Sequence, residues 1–144
     1  MKTVDNTSNM MYLIIVTQKW KIIYYEDIDG YSKVYDFIEK QNMRNQAKIF
    51  SWISLLEQKG PNLPRPYADL LKDEIHELRI KLSGTQIRIL YFFCHKEFIV
   101  LSNSFIKKTK KIPEKEINIA KKNKTNFIRR YSEIELREEY DENI

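Results

Sequence analysis

The chain has 144 residues and a single cysteine, with 25 Lys and Arg against 20 Asp and Glu for a net charge of +5. That length builds one domain around one core. The ordinary apolar and charged fractions exclude wholesale disorder, and lone Cys94 excludes an internal disulfide or a multi-cysteine metal centre. No apolar run approaches the roughly 18–20 residues that span a bilayer, and segment 11–16 is too short, and lacks the cleavage site, for a signal peptide. The expected location is the cytoplasm, away from membranes.

Residues 1–18 read as an N-terminal extension whose first ten residues form a disordered leader, with 11–17 as an added strand or a continuation of the next one. The core domain is expected over 19–130. Residues 20–26, rich in β-branched and aromatic side chains, predict its first strand. Ser32 caps a helix carrying Val34, Tyr35, Phe37 and Ile38. Asn42 breaks it, and a second helix over 44–59 repeats apolar residues at helical spacing (Ile49, Trp52, Ile53, Leu56) up to Gly60 at the C-terminal cap position. These two helices present an apolar face that a sheet must cover. A proline-punctuated loop over 61–73 follows.

Three strands come next. In 76–83 Leu78, Ile80 and Leu82 alternate with Glu77, Arg79 and Lys81, which describes a half-buried strand with a cationic outer face. A tight turn at 83–85 leads to 87–93, apolar on both faces except for Arg88, and then to 97–105. Pro113 opens a basic helix over 114–131. From Phe105 to Arg130 ten Lys and Arg face only Glu114 and Glu116, whereas 131–144 carries six acidic residues and one arginine and is expected to be a frayed acidic tail. A solvated helix face and a polyanionic partner both account for the basic stretch.

The most informative residue is Arg88, a cation inside a central strand. Burying an unpaired charge costs several kcal/mol or more, so it requires an anion. Glu77 is one source, as an internal ion pair; a bound phosphate is the other. If the neighbouring strand turns Arg79 and Lys81 toward the same face, three cations converge, with Lys107 and Lys108 within reach just after the third strand. Such a cluster suits phosphoryl transfer on RNA, where charge develops on the phosphate oxygens in the transition state. Guanidinium grips two oxygens at once and lysine acts as a point charge. His76 and His95, far apart and without a carboxylate–histidine pattern, support no metal site, and no cofactor motif is present. Cys94 and Tyr91 read as buried core residues, and His76 favours packing over catalysis. Trp20, Tyr24, Tyr25, Trp52, Phe92 and Phe93 read mostly as core, with one at the sheet edge a candidate base-stacker.

The stretch Leu70-Leu71-Lys72-Asp73-Glu74-Ile75-His76-Glu77-Leu78-Arg79-Ile80 resembles the Leu-x-x-Gly-Leu-x-Glu-Leu-Arg signature of HigB-like, phage-derived toxins of the RelE superfamily. Arg88-Ile89-Leu90-Tyr91-Phe92 resembles their next strand, and Phe105-Ile106-Lys107-Lys108-Thr109, with Lys111, Pro113 and Ala120, resembles their ending. The likeness spans residues 19–125. It implies an α+β, RelE-like fold: two N-terminal helices on a small antiparallel sheet, with a C-terminal helix. It implies a metal-independent endoribonuclease that cuts mRNA on the translating ribosome and is neutralised by a cognate antitoxin, commonly a helix-turn-helix protein. Arg79 and Arg88 fall on the family's strand arginines and Lys107 and Lys108 on its paired lysines, and these four are the candidate catalytic residues. Lys81, Lys110, Lys111, Lys121 and Lys122 are the accompanying candidates for RNA contact. Two positions depart from the pattern: Glu74 stands where glycine is usual, and Asn103 where many relatives carry histidine, which leaves the general base unassigned. A ParE-like inhibitor of DNA gyrase and a non-catalytic, phage-derived binding module are the competing readings.

Overall fold

Five strands and four α-helices, with a single 3-10 turn over Gly60–Asn62, make up the described part of the chain, residues 19–141 of a computed structural model. They are strand β1 (Lys21–Tyr24), helices α1 (Lys33–Glu39) and α2 (Met43–Lys59), strands β2 (Ala68–Leu70), β3 (His76–Leu82), β4 (Thr85–Cys94) and β5 (Phe98–Ile106), and helices α3 (Glu114–Arg130) and α4 (Glu133–Asp141). The leader and the strand expected over 11–17 lie outside the described residues.

Local chemistry sets the helix ends. Ser32 Oγ accepts from the Tyr35 amide at 3.2 Å and caps α1. That helix ends with Lys40 at its C-cap, and Asn42 starts the next, its Oδ1 accepting from the Asn45 amide at 2.8 Å. Gly60, at φ 52°, closes α2. The loop expected over 61–73 holds a short strand, β2, because Ala68, Asp69 and Leu70 pair with Leu78, Glu77 and His76 of β3.

The strands form one sheet in the order β1-β5-β4-β3-β2. The α+β class follows the sequence reading, but the sheet is mixed: β1 runs parallel to β5, and the other pairs are antiparallel. The exception has a physical reason. Strand β1 leads into the helical hairpin instead of a tight turn, so no hairpin forces it antiparallel to its neighbour.

Strand alternation divides the core in two. On one face Leu78, Ile80, Ile87, Ile89 and Tyr91 meet Val34, Ile38, Ile49, Ile53 and Leu56 of α1 and α2. On the other, Leu90, Phe92, Cys94, Phe98 and Val100 meet Ile117, Ala120 and Phe127 of α3 and Leu136 of α4. The central β4 is therefore covered on both sides, as its apolar run requires. A register shift at Leu90/Tyr91 pairs Leu90 with Asn103 and Tyr91 with Leu101, leaving Ser102 as the extra residue on β5. The bulge gives α3 two polar anchors. Asn123 Nδ2 donates to Ser102 Oγ at 3.0 Å, and Asn103 Nδ2 donates to the Glu116 carboxylate at 3.0 Å.

The acidic end is not frayed over 133–141. Ser132 Oγ accepts from the Glu135 amide at 3.2 Å, Leu136 is 1 % exposed, and Arg137 pairs with Glu97 of the β4–β5 turn at 3.0 Å. One leucine in an acidic stretch is a weak sequence signal, yet here it seals the end of the second core.

Candidate functional site

Pairing in the β3–β4 hairpin sets Arg79 directly opposite Arg88 and Lys81 opposite Gln86. Two guanidinium groups in cross-strand register repel unless an anion lies between them, and Glu77 lies there. Arg79 Nε donates to Glu77 Oε1 at 2.7 Å, and Arg88 Nε stands 3.5 Å from Oε2. On the next strand Asp69 takes Arg79 Nη2 at 3.3 Å and Arg65 Nη2 at 2.8 Å. The result is an alternating row across three strands, Arg65–Asp69–Arg79–Glu77–Arg88, with one more cation than anions.

Burial grades this row. Glu77 is 2 % exposed and Arg88 5 %, whereas Arg65 faces solvent. Burial pulls the Arg88 guanidinium below its ordinary value, Arg79 adds to that pull, and Glu77 opposes it. It stays charged all the same. The Arg65 hydrogen bond holds the Asp69 carboxyl below the usual carboxylate range. The remaining Arg88 nitrogens donate to the Ile87 carbonyl and Gln86 Oε1, each at 3.1 Å. Arg88 Nε and Glu77 Oε2 are both buried without a hydrogen bond, so their pairing is an electrostatic contact and not a tight clasp.

Beyond Leu78 strand β3 has lost its neighbour β2, and a groove of about 620 Å³ wraps the open edge. Arg79, Lys81, Gln86 and Arg88 line it on one side. Lys48 and Trp52 of α2, with Tyr67 before β2, line the other, and Ile80 and Leu82 form its floor. No described carboxylate or histidine is among the lining residues. A space of this size takes a nucleotide-sized ligand.

The structure thus brings Arg79, Lys81 and Arg88 together. Lys107 and Lys108 sit at the same end of the sheet without lining the groove: the Lys107 amide donates to the Gln86 carbonyl at 2.8 Å, which prolongs β5 alongside β4. Lys110 and Lys111 project from the exposed loop before α3. Lys121 is engaged by Asp73 at 2.9 Å, as its neighbour Lys124 is by Glu74 at 3.0 Å and Lys72 is by Glu114. Lys122 is exposed and has no ion-pair partner among the described residues. Much of the basic character of α3 facing the 72–74 turn is therefore matched within the chain.

Glu74 explains its own departure from the signature. Its φ is 62°, the left-handed region that glycine enters freely, so the turn keeps a glycine-like backbone while the side chain reaches Lys124. Asn103 is fully buried and tied to α3. The remaining candidates behave as packing residues. His76 stacks on Tyr91 with centroids 5.3 Å apart, and burial lowers its pKa. Tyr91 lies on the face opposite Arg88, and burial pushes the Cys94 thiol up to about 11. No described cluster of His, Cys, Asp or Glu has the makings of a metal site, and no described helix is long and apolar enough to cross a membrane.

Residues 36–125, from within α1 to within α3, match the family described as phage derived protein Gp49-like (DUF891). The chain belongs to this family. The matched stretch of the Gp49-like chain contains the whole groove, from Lys48 to Arg88, together with Asp69 and Glu77, and leaves β1 and α4 outside. No curated protein matches the chain.

Sequence reasoning missed Arg65, Asp69, Lys48 and Tyr67, and it named Trp52 only among aromatics read mostly as core. The first two carried a faint signal, because a charged pair four residues apart in a proline-rich loop is a candidate for ordering that loop. The others were legible only as helix and loop residues, since nothing local says which sheet edge they overhang.

Proposed function

We propose that this Gp49-like chain is the toxin of a cytoplasmic toxin–antitoxin pair, a HigB-like endoribonuclease that cuts mRNA on the translating ribosome without a metal ion. The carrying observation is the groove that Arg79, Lys81 and Arg88 line together, with Glu77 and Asp69, the anions that offset the two arginines, not among its lining residues. There an RNA phosphodiester meets two planar donor groups and a point charge in a partly desolvated setting, where each interaction is stronger than in water. The 2′-oxygen forms its bond to phosphorus as the bond to the 5′-oxygen breaks. One proton leaves the 2′-hydroxyl and one joins the 5′-oxygen, giving a 2′,3′-cyclic phosphate and a 5′-hydroxyl. Negative charge grows on the non-bridging oxygens along this path, and preorganised cations stabilise it most at the transition state. Lys107 and Lys108 at the same end extend the positive field toward the RNA, with Lys110, Lys111 and Lys122 as outer phosphate contacts. The partner implied by the HigB resemblance is a helix-turn-helix antitoxin, which silences the chain by binding it.

The test is induced expression in a bacterial host, wild type beside Arg88→Ala, with mRNA 5′ ends mapped after induction. Growth arrest with new cuts set by the reading frame, absent in a folded Arg88→Ala variant, is the expected result. Arrest without new cuts would move the assignment to a ParE-like inhibitor of gyrase or another protein target.

One observation favours a second reading, a phage-derived module that binds RNA without cutting it. Neither histidine nor carboxylate lines the groove among the described residues, and Asn103, at the position of many relatives' histidine, cannot take a proton. Soluble wild-type protein that binds RNA and arrests nothing would establish it.

A further inference from the structure

The wall of the groove opposite the arginines is aromatic and makes no phosphate contact in the scheme above. Trp52 and Tyr67 lie with ring centroids 6.3 Å apart at 56°, a tilted pair in contact with each other instead of a parallel stack. Tyr67 is 39 % exposed, which a ring recruited only for packing would not be. The Trp52 indole N–H is buried with no acceptor among the described residues, so packing alone, and no hydrogen bond, sets the tilt of that ring. Lys48, one helical turn before Trp52, holds its ammonium 5.9 Å from the indole centroid. Four cations and the two aromatics therefore line the same groove.

We propose that Trp52 and Tyr67 form a nucleobase-stacking subsite, which holds an unpaired base of single-stranded RNA while Arg79 and Arg88 hold the adjoining phosphate. This rests on the reading of the groove as an RNA site. Charge complementarity selects the occupant: Lys48, Arg79, Lys81 and Arg88 line the groove while Glu77 and Asp69, which offset part of the arginine charge, do not, so the surface calls for a polyanion, and the aromatic wall calls for a flat π-surface beside it. A nucleotide supplies both. A duplex keeps its bases stacked internally and offers none to the aromatic wall, so the subsite selects single strands and tolerates every base.

The probe is a 2′-methoxy oligoadenylate tetranucleotide, which the proposed 2′-hydroxyl chemistry cannot cut, compared with an abasic ribose-phosphate tetramer of equal charge. Binding is read from tryptophan fluorescence of the full chain and from anisotropy. The oligoadenylate is expected to quench saturably and the abasic tetramer to leave the signal unchanged. Trp52→Phe removes the other contributor's ambiguity, since Trp20 is the remaining tryptophan. Tyr67→Ala and Trp52→Ala should each weaken oligoadenylate binding about tenfold, as loss of one stacking face does, at unchanged salt dependence. Tyr67→Phe should restore the affinity, and this variant keeps the test valid if Trp52→Ala fails to fold. Equal affinity for the abasic tetramer, or no effect of Tyr67→Ala, overturns the stacking subsite while leaving the nuclease reading intact. Folded wild-type protein that binds neither tetramer overturns both. Quenching by an extended peptide but not by the oligoadenylate assigns the open edge of β3 to a partner strand, and the proposal falls.

Discussion

Two stretches of one sheet face behave oppositely. Along β4 the side chains of Arg88, Leu90, Phe92 and Cys94 point to the same side. From Leu90 onward they are sealed under Ile117, Ala120 and Phe127 of α3; at Arg88 the helix has ended and a groove begins. The strand is equally regular in both halves. What differs is the cover, and the residue type switches within two positions to match it. A covered position stabilises by losing apolar surface to a neighbour. A position beyond the helix, on the same backbone, is available to hold charge, provided an internal anion such as Glu77 offsets the cost of its burial.

Substitutions in the two halves should therefore fail in different ways. The largest loss of stability is expected in the covered half, where Phe92→Ala should lower the unfolding free energy by about 3–5 kcal/mol, read from urea denaturation, with groove binding retained in the fraction that folds. A cost below about 1 kcal/mol would mean that α3 is not holding that half. In the charged half, Glu77→Ala should cost about 3 kcal/mol, because it leaves Arg79 and Arg88 facing each other with no anion between them. Restoration of stability by the double variant Glu77→Ala/Arg88→Met would sharpen the point, and its absence would show that Glu77 does not serve Arg88.

A subtler contrast appears with pH. The Asp69 carboxyl is held low by Arg65, so on acidification the unfolded chain takes up that proton first. Its contribution to stability is present above the unfolded carboxylate value of about 3.9 and is lost as pH falls through the folded one. Asp69→Asn should flatten that acid limb of the stability curve, whereas Phe92→Ala should lower the curve at every pH. An unchanged acid limb in Asp69→Asn would remove the row of charges from the pH response. The smallest effects concern single lysines. Lys81→Ala should reduce the log–log salt slope of single-strand RNA binding by about 0.7, one phosphate's worth. Lys121→Ala, already paired with Asp73 in solvent, should leave that slope unchanged and shift stability by less than about 1 kcal/mol. Equal slopes for both variants would erase the distinction between groove and helix.

Much of this was legible before folding. Alternation in 76–83 puts Glu77, Arg79 and Lys81 on one side, and an arginine inside an apolar strand demands an anion. The chain meets both demands: Glu77 touches Arg88, and the groove reaches it too. Less visible was β2, whose three residues pair only because β3 offers an edge, and α4, whose single buried leucine gives no periodic signal. The expected antiparallel sheet is mixed, with β1 parallel to β5, because strand direction there depends on where a two-helix detour ends. Lys121 illustrates the limit for charge: its sequence neighbours make it look like part of a basic face, yet its partner Asp73 lies far away in the chain and beside it in space.

The sequence by itself determined the alternation, the caps, the α+β class and the cations of β3 and β4, since each depends on residues a few positions apart. Tertiary structure alone decided which cations stay available, where helix cover stops, and that Lys48, Trp52 and Tyr67 overhang the edge of β3. Those facts depend on the packing of segments distant in the chain, and packing is a property of the whole fold that no local spacing encodes.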